Sequence, residues 1–502
     1  MMVARSRAES MTLGRLLSGL AEVPSAVAEL PVAGLALDSR RVGPGEVFLA
    51  CQGTRAHGLA HARQAIEQGA SAIVWEPVEG VEPLALAVPM IPVDGLSRRA
   101  GVIADRFFGH PSRAMTVIGV TGTDGKTSVS QFLAQVLDQE GARCGVIGTL
   151  GYGLWGELLE GAHTTPDAVT LQAELAGLRS RGARWLSMEV SSHALEQGRA
   201  NGVAFDQAIL TNLSRDHLDY HGSVEAYAAA KRRLFEWSGL EYAILNLDDA
   251  FGQALARALR GPRLLGYGLA GPGAYATEAV TAGAVEILER GVRAEVHTPW
   301  GTGELEAPVL GRFNVLNLLA VLASLLALGV EMNEALLRLR RVRTVPGRME
   351  AFGGGERPVA VVDYAHTPAA LEHVLAALRE HCHGRLWCVF GCGGERDRGK
   401  RPLMAQAAAR LADAVIVTDD NPRGEDGQAI VQEILAGFVR PEAVTVERDR
   451  AAAIEMALTR AEANDVVLVA GKGHEDYQLV GAERRAFSDR RLVAELLGEA
   501  VR

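Results

Sequence analysis

The stretch MTVIGVTGTDGKTSVSQFLAQVL, residues 115–137, determines the fold of the region around it. It begins with an apolar run rich in valine and isoleucine, which predicts a buried strand. It continues through a glycine-rich loop, residues 122–127, into a pattern that places Val129, Phe132 and Val136 on one side of a helix. Glycines let backbone N–H groups approach an anion, and the helix N-terminus adds a favourable dipole. The order strand, loop, helix therefore predicts an α/β fold that carries a phosphate-binding loop.

Two side chains of this loop have the chemistry that a nucleotide needs. Lys126 can reach the β and γ phosphates, and the Thr127 hydroxyl can ligate Mg²⁺. The loop departs from the strict Walker A pattern, since Val120 stands where that pattern has glycine. An ordinary glycine turn is the alternative, but a Gly-Lys-Thr sequence between a strand and a helix favours a nucleotide with Mg²⁺.

The composition is that of a soluble globular protein. Its 502 residues predict about three domains, with 48% apolar and 22% charged residues. The net charge of −10 argues against partners such as nucleic acid or a membrane surface. The apolar run 315–330 is short for a membrane span and contains Asn317 and Ser324, so we expect a buried core helix.

The N-terminus and the cysteines favour a cytoplasmic location. Arginines near the start are not followed by the apolar segment of a signal peptide. The five cysteines are scattered, which is typical of reduced thiols in the cytoplasm.

We expect boundaries near residues 112 and 345, which give units 1–112, 113–345 and 346–502. In the first unit, residues 35–53 predict two strands around a Gly-Pro-Gly turn. The turn 38–40 could contact a ligand or be an ordinary polar turn.

The second unit carries polar groups in unusual places. Glu189 lies inside an apolar strand context, where an unpaired carboxylate would be costly unless a metal ion or a cation compensated it. Residues 216–221 hold four metal-capable side chains, for which a solvated loop is the alternative; they are Asp216, His217, Asp219 and His221. On pattern alone, Lys231 is a surface lysine of a helix. A β-rich insertion at 266–306 precedes the core helix, where Asn314 and Asn317 could cap the helix or meet a ligand.

The third unit alternates strands with helices, and four strands end in polar or glycine-rich clusters. These clusters lie at residues 363–366, 393–396, 420–423 and 471–475. In an open parallel sheet, ligands bind at the carboxyl ends of strands. The pattern therefore predicts one concave site, with Arg396, Arg423, Lys472 and Glu475 available for a charged small molecule.

Together these features suit the ATP-driven activation of an acid, followed by attack of a second substrate. Phosphoryl transfer converts a carboxylate into an acyl phosphate, from which an amine can displace phosphate. From the residues alone a kinase, an NTPase motor and a ligase all remain open.

Ten motifs, in order along the chain, resemble those of the Mur ligases of peptidoglycan synthesis. They are GTDGKT, MEVSSHAL, TNLSRDHLDYHG, AAAKRRLF, RFNVLN, VPGRME, VVDYAHTP, GCGGERDRGKRP, DDNPRGED and GKGHEDYQ. The resemblance implies three domains: an N-terminal UDP-binding domain, a central P-loop ATPase-like domain and a C-terminal Rossmann-like, amino-acid-binding domain. DNPR resembles the family members that add meso-diaminopimelate to the D-Glu carboxylate of UDP-N-acetylmuramoyl-L-Ala-D-Glu through an acyl phosphate. L-Lysine or L-ornithine as acceptor is the alternative, and a non-catalytic nucleotide-binding scaffold is the alternative from a different class.

The resemblance also implies a role for each matching residue. ATP would meet Gly122, Thr123, Asp124, Gly125, Lys126, Thr127, Ser128, Asn314, Asn317, Arg348, Asp363 and His366. Metal ligation would fall to Thr127, Glu189, His217 and Lys231, with Lys231 as an N6-carboxylysine, and Lys126, Glu189, His217 and Lys231 would be catalytic. The UDP-muramoyl-dipeptide would meet Leu37, Ser39, Thr54, Arg55, Ala56, Thr164, Thr165, Ser191, Gln197 and Arg199. The amino acid would meet Arg396, Asp420, Asn421, Pro422, Arg423, Gly471 and Glu475.

The chain departs from the family pattern at two positions. Asp124 stands where asparagine is common, and His163 stands where an asparagine is often found. The implied selectivity has a physical basis, because Arg423 can hold the distal carboxylate of diaminopimelate with two hydrogen bonds. Lysine and ornithine would leave that arginine desolvated and unpaired. We expect a monomer whose partners are small-molecule substrates.

Overall fold

The structure is a computed structural model that describes residues 11–53, 56–82, 85–161, 163–269 and 278–500. These residues form two compact units. The first comprises the described residues up to Tyr267 together with residues 278–279, and the second comprises residues 268–269 and the described residues from Val280 onward. Both units are α/β, as the sequence predicts.

The first unit opens with a small parallel sheet in the order β1-β2-β3-β4. Its elements are α1 (Leu13–Leu17), α2 (Ser25–Ala28), β1 (Gly34–Ala36), β2 (Glu46–Ala50), α3 (Ala62–Glu67), β3 (Ala72–Trp75), β4 (Met90–Pro92) and α4 (Leu96–Phe107). The two strands predicted within residues 35–53 are present. They pair in parallel, because a 3₁₀ helix at Ser39–Arg41 turns the chain back before the Gly-Pro-Gly segment.

The rest of the first unit is a seven-stranded array in the order β11-β10-β9-β5-β8-β6-β7. Its strands are β5 (Thr116–Thr121), β6 (Arg143–Gly148), β7 (Gly151–Leu154), β8 (Ala183–Glu189), β9 (Gln207–Leu210), β10 (Tyr242–Asn246) and β11 (Arg263–Gly268). Its helices are α5 (Lys126–Leu137), α6 (Ala168–Ser180), α7 (Ser192–Glu196), α8 (Leu218–His221), α9 (Val224–Arg232) and α10 (Ala250–Ala258). All neighbours are parallel except β6 and β7. The phosphate loop therefore follows a strand with neighbours on both sides.

The second unit begins with the predicted β-rich insertion. Its elements are the strands β12 (Ala279–Leu288), β13 (Gly291–Thr298) and β14 (Gly301–Ala307), which pair antiparallel, and the helices α11 (Arg312–Ala327) and α12 (Met332–Leu339). Helix α11 is buried over most of its length, which confirms the predicted core helix. Among the described residues, no helix has both the length and the apolar character needed to cross a bilayer.

A six-stranded sheet in the order β15-β16-β20-β17-β18-β19 completes the second unit. Its strands are β15 (Glu350–Gly353), β16 (Val359–Asp363), β17 (Leu386–Phe390), β18 (Ala414–Val417), β19 (Thr445–Val446) and β20 (Val466–Ala470). The helices are α13 (Pro368–His381), α14 (Lys400–Leu411), α15 (Gly427–Leu435), α16 (Arg450–Arg460) and α17 (Asp489–Leu496), and β21 (Tyr477–Val480) pairs with β22 (Glu483–Ala486) as a hairpin. All pairs except β15–β16 and this hairpin are parallel.

Apolar side chains cover both faces of this sheet. Val361 and Leu468 are register partners and pack in one buried cluster, whereas Val362 and Val467 pack in another. Successive residues of a strand point to opposite faces, so continuous apolar runs are typical of a parallel sheet covered on both sides. The four predicted strands are confirmed, and their carboxyl ends lie at one edge of the sheet.

Candidate functional site

The phosphate loop owes its shape to two glycines with positive φ. Gly122 has φ +151°, and a Cβ there would lie 1.8 Å from Thr211 Oγ1, so no side chain fits without displacing the neighbouring loop. Gly125, at φ +80°, immediately precedes α5. The loop therefore leads directly to a helix N-terminus, the arrangement expected of an anion site.

The loop is held by the segment after β9. The Asp124 N–H donates to Asn212 Oδ1 at 2.9 Å, and the Thr123 N–H donates to the Asn212 carbonyl at 3.0 Å. The Thr211 hydroxyl donates to the Asp124 carbonyl at 2.5 Å. No role for Asn212 was predicted from the sequence. Its position after β9, which is adjacent to β5, could have indicated that it lies close to the loop.

Two lysines meet one carbonyl of this loop. The Nζ of Lys126 lies 3.0 Å from the Gly122 oxygen, and the Nζ of Lys231 lies 2.6 Å from the same atom. Lys231 is 1% exposed, so the surface position suggested by its helix pattern is wrong. Burial and then the charge of Lys126 hold the pKa of Lys231 well below its ordinary value. Both effects favour the neutral amine. Its Nζ also lies 4.4 Å from the centre of the Tyr227 ring.

Glu189 is fully buried at the end of β8 and accepts three hydrogen bonds. Thr127 Oγ1 donates to Oε2 at 3.0 Å, while Thr149 donates through its N–H to Oε1 at 2.8 Å and through its hydroxyl to Oε2 at 3.2 Å. Burial raises the pKa of Glu189, and these donors together with the Lys126 charge oppose the rise. Thr149 was not predicted, although it follows β6 at the same sheet edge.

The predicted metal-capable segment is dominated by packed rings. His217 has φ +52° and is exposed, with its ring edge-on to His193 at 4.9 Å and its Nε2 3.4 Å from Asp216. His221 Nε2 lies 3.0 Å from Ser192 Oγ. Within the described chain, which excludes the Asp219 side chain, no three His, Cys, Asp or Glu residues are grouped to hold a metal ion. Metal ligation by His217 stays a prediction.

Several residues assigned by resemblance to the muramoyl-dipeptide lie together beside Glu189. Thr165 Oγ1 donates to the Glu189 carbonyl at 2.9 Å and accepts from the Ser191 N–H at 3.2 Å. Arg199 Nη1 donates to the Thr165 carbonyl, and Nε and Nη2 donate to Gln197 Oε1. Thr164 Oγ1 lies 3.0 Å from Thr149 Oγ1.

The residues assigned to UDP are only partly described. Ser39 is buried and donates to Gln64 Oε1 at 2.8 Å, Leu37 is half-buried and Ala56 is exposed. Thr54 and Arg55 lie outside the described residues.

In the second unit, neither Asn314 nor Asn317 caps α11. Both are buried inside the helix, where Asn314 Nδ2 donates to the Leu310 carbonyl and Asn317 Nδ2 donates to Asn314 Oδ1. Gly311 occupies the cap position. Capping therefore does not explain these asparagines.

The end of β16 carries three residues assigned to ATP. Asp363 is buried and accepts from the N–H groups of Met349 and Ala365, each at 2.8 Å, and burial raises its pKa against these donors. The Arg348 guanidinium stacks 4.8 Å from the Tyr364 ring centre. His366 Nδ1 lies 2.8 Å from the Tyr364 carbonyl oxygen.

The other strand ends form a second cluster, which joins residues from three predicted motifs. Asn421 Nδ2 donates to Glu475 Oε2 at 3.0 Å, and the buried Lys472 donates to both side chains. Arg423 has φ +51°, and its Nη1 donates to the Gly394 carbonyl at 2.7 Å. Arg396 is exposed beside it. The structure thus brings together the residues assigned to the amino acid.

The hairpin β21–β22 holds the DNPR segment in place. The Arg423 N–H donates to the Leu479 carbonyl at 3.0 Å, and the Gly481 N–H donates to the Arg423 carbonyl at 2.7 Å. Gln478 Nε2 donates to the Asp420 carbonyl at 2.7 Å. This support could not be predicted from the sequence, because it depends on pairing between residues more than fifty positions apart.

Comparison with protein-family models gives three matches along the chain. Residues 31–108 match the model described as "Mur ligase family, catalytic domain", residues 120–325 the "Mur ligase middle domain" and residues 347–473 the "Mur ligase, glutamate ligase domain".

Curated relatives match nearly the whole chain. A protein of Ectopseudomonas mendocina is 53% identical over 470 residues, which cover 93% of this chain and 95% of that protein. One of Pseudomonas aeruginosa is 51% identical over 468 residues, with the same coverage, and one of Coxiella burnetii is 47% identical over 479 residues, covering 95% of this chain and 98% of that protein. All three are named UDP-N-acetylmuramoyl-L-alanyl-D-glutamate–2,6-diaminopimelate ligase.

Solved structures agree. One of a ligase with the same name is 36% identical, has a TM-score of 0.76 and covers 97% of this chain and 99% of its own. The MurF structure from Acinetobacter baumannii, at 17% identity, has a TM-score of 0.61 and covers 98% of this chain and 99% of its own, which supports the fold alone.

Proposed function

This chain belongs to the Mur ligase family, and we propose that it uses ATP to join meso-diaminopimelate to the D-Glu carboxylate of UDP-N-acetylmuramoyl-L-Ala-D-Glu in peptidoglycan synthesis. The observation that carries the proposal is the shared name of relatives that match about half of the residues across nearly the whole chain. We also propose domains 1–112 for UDP, 113–345 for ATP and 346–502 for the amino acid. The three family models fall inside these ranges.

The reaction requires activation, because a carboxylate is a poor electrophile. Transfer of the γ-phosphoryl group to a D-Glu carboxylate oxygen gives an acyl phosphate and ADP. The amine of the amino acid then attacks the acyl carbon, a C–N bond forms, phosphate leaves and the amine loses a proton. Positioning and charge stabilisation supply most of the catalysis in such transfers.

The residues of the phosphate loop fit a magnesium nucleotide. The Thr127 hydroxyl and the Glu189 carboxylate are 3.0 Å apart, and both are oxygen ligands of the kind that Mg²⁺ prefers. Bound Mg²⁺ would neutralise the oxygens of the transferring phosphoryl group. Lys126 would shift from the loop carbonyls to the phosphates. We assign the ATP contacts to Gly122, Thr123, Asp124, Gly125, Lys126, Thr127, Ser128, Asn314, Asn317, Arg348, Asp363 and His366.

Lys231 fits the role of a carbamylated lysine. Carbamylation needs the neutral amine, and the burial of Lys231 favours that form. The modification would convert a cation next to the loop into an anion, which would act with Glu189 and His217 as metal ligands.

The remaining assignments follow the family motifs. The dipeptide set contains Leu37, Ser39, Thr54, Arg55, Ala56, Thr164, Thr165, Ser191, Gln197 and Arg199. The amino-acid set contains Arg396, Asp420, Asn421, Pro422, Arg423, Gly471 and Glu475. We further propose a cytoplasmic monomer without nucleic-acid or membrane partners, in keeping with the net charge of −10.

Phosphate release provides the test. Purified protein with ATP, Mg²⁺ and UDP-muramoyl-dipeptide should release phosphate only after diaminopimelate is added. Equal release without an amino acid would indicate an ATPase instead. A competition assay with diaminopimelate, lysine and ornithine identifies the amino acid that the protein uses. If the protein prefers lysine or ornithine, that amino acid replaces diaminopimelate in the proposal.

A further inference from the structure

Lys472 lies at the centre of the amino-acid cluster and is completely buried. Its Nζ donates to Asn421 Oδ1 at 2.9 Å, to Glu475 Oε2 at 3.2 Å and to Asp420 Oδ1 at 3.5 Å. Its side chain is 0% exposed, compared with 10% for Asp420 and 18% for Glu475. An ammonium group has three N–H donors, so the three acceptors match its full capacity.

The contact with Lys472 fixes the orientation of the Asn421 amide. Oδ1 accepts from both Lys472 Nζ and the Leu479 N–H, each at 2.9 Å. The amide nitrogen must therefore point the other way, where it donates to Glu475 Oε2 at 3.0 Å. Lys472 and Asn421 thus hold the same carboxylate oxygen from two sides.

Two glycines make this arrangement possible. Gly471 has φ +120°, and a Cβ there would lie 3.2 Å from Asp420 Oδ2. Gly473 has φ +52° and lies against Gly347 and Tyr364. The Glu475 N–H donates to the Lys472 carbonyl at 2.9 Å, so the turn brings both side chains to one side.

The composition indicates that lysine chemistry is specifically required here. Only four of the 51 basic residues are lysines, namely Lys126, Lys231, Lys400 and Lys472. Arginine is a planar fork, whereas the lysine ammonium is a compact charge with three tetrahedral donors. Three acceptors that converge on one buried atom suit only the latter.

We propose that Lys472 is a positioning residue that sets the geometry and charge of the amino-acid site. It fixes Glu475 and Asn421, and it neutralises one of the two carboxylates, Asp420 and Glu475. Lys472, Asp420 and Glu475 together then carry one net negative charge, which matches one ammonium group of the incoming amino acid, while Arg396 and Arg423 are available to its carboxylates. This inference rests on the proposed function.

The main test compares Michaelis constants in Lys472→Met. Without the ammonium, two neighbouring carboxylates repel each other and Asn421 loses its anchor. We expect the KM for diaminopimelate to rise on the order of 30-fold, the effect of leaving buried charged groups unpaired. The KM values for ATP and UDP-muramoyl-dipeptide should change by less than about threefold, since loss of a local contact does not reach them.

Arg448→Met is the matched control. Arg448 forms a half-exposed ion pair with Asp419 at 2.9 Å, so the change removes a cation next to the cluster without touching Lys472. Exposed pairs contribute little, and the KM for diaminopimelate should change by less than about threefold. An equal rise in both variants would mean that general electrostatics, not Lys472, is responsible.

Two further variants test the inference if Lys472→Met is unstable. Lys472→Arg should keep the charge but not restore the KM, because the fork cannot donate to all three acceptors. In Lys472→Met combined with Glu475→Gln, one carboxylate is removed, so the combined rise should be smaller than the product of the single rises. Full activity of the arginine variant, or a multiplicative double variant, would overturn the proposal.

The wild-type protein separates the two possible failures. If it does not use diaminopimelate at all, the proposed function fails. If it does, and Lys472→Met raises all three KM values equally or none, only the role of Lys472 fails.

Discussion

The two clusters use buried lysines in opposite ways. At the phosphate loop, Lys231 donates to a neutral carbonyl, that of Gly122, which Lys126 also contacts. At the strand ends of the second unit, Lys472 donates to two carboxylates and an amide. Burial and the charge of Lys126 lower the pKa of Lys231 and so favour its neutral amine, whereas Lys472 lies among three acceptors that use all its N–H donors. The first arrangement favours chemistry at the amine, and the second favours a fixed framework for binding.

Lys231→Ala is the strongest test of this contrast between Lys231 and Lys472. If the neutral amine is a site of modification, turnover should fall about 10³-fold, the scale of removing one preorganised charged group. Added short carboxylic acids should partly restore kcat, whereas Lys231→Arg, which cannot form the carbamate, should not be rescued. Phosphate release measures both. Full activity in the alanine variant would remove the carbamate from the proposal.

Glu189→Gln tests whether the buried carboxylate is needed as a charge. The amide keeps an oxygen for the Thr149 N–H, so the fold should survive. Because burial raises the pKa of Glu189, its ionised form costs more in the folded protein than in the unfolded chain, and removal of the charge should raise the free energy of unfolding at pH values above the unfolded-state pKa. Turnover should fall roughly 10²-fold. Phosphate release and thermal unfolding of the same preparation measure the turnover and the stability of the variant. If both stability and activity are lost, the role of Glu189 is structural.

Arg423→Ala tests whether the second cluster holds the carboxylate of the amino acid. The KM for diaminopimelate should rise about 10²-fold, because a two-pronged contact with a carboxylate is lost, while the KM for ATP should hardly change. Arg423→Lys serves as the control and should recover only part of the loss, since it lacks the fork. Equal rises in both KM values would mean that the arginine supports the loop rather than the substrate.

His381→Phe removes a buried polar side chain that lies outside both clusters. Its Nε2 accepts from the Gly311 N–H and its Nδ1 faces the Leu288 carbonyl, both at 2.8 Å, so the ring must be neutral with its proton on Nδ1. Leaving both backbone groups unpaired should cost about 3 kcal/mol of unfolding free energy. The kcat/KM for diaminopimelate should change by less than about threefold if the role is structural.

The same histidine gives a pH dependence with a defined sign. Burial lowers the pKa of His381 below 6.5 in the folded protein. As the pH falls, the unfolded chain therefore binds the proton at a higher pH than the folded protein does. The stability advantage of the wild type over the phenylalanine variant should therefore be full above pH 6.5 and shrink as the pH falls below it. Denaturant titrations at several pH values measure this difference. A constant difference would contradict the neutral ring.

The sequence predicted elements well where the information is local. The strands that end at Thr121, Asp363 and Ala470 are continuous apolar runs followed by glycine or polar residues, and the structure confirms them. The parallel pairing of β1 and β2 was not evident, because a Gly-Pro-Gly segment suggests a hairpin whatever lies beside it. Pairing direction depends on the 3₁₀ helix that intervenes.

Side-chain environments were harder to predict. The pattern around Lys231 contains small residues on all sides of α9, so it does not distinguish a buried face from an exposed one. The buried Lys231 contacts the Gly122 carbonyl, which lies more than a hundred residues earlier in the chain, and only the resemblance pointed away from a surface position. Glu189 was predicted to be costly unless compensated, and the structure adds the hydrogen-bond donors Thr127 and Thr149 to the nearby charge of Lys126. Such donors come from neighbouring strands, whose order the sequence does not state.

The scarcity and burial of lysine have a practical consequence for labelling. Lys231 and Lys472 are almost completely inaccessible, while Lys126 and Lys400 are partly accessible. Amine-reactive reagents should therefore modify very few side chains of the native protein. New adducts at Lys472 would appear only when the surrounding loops open, so mass spectrometry of labelled protein would follow local opening at the amino-acid cluster, and added diaminopimelate should slow it.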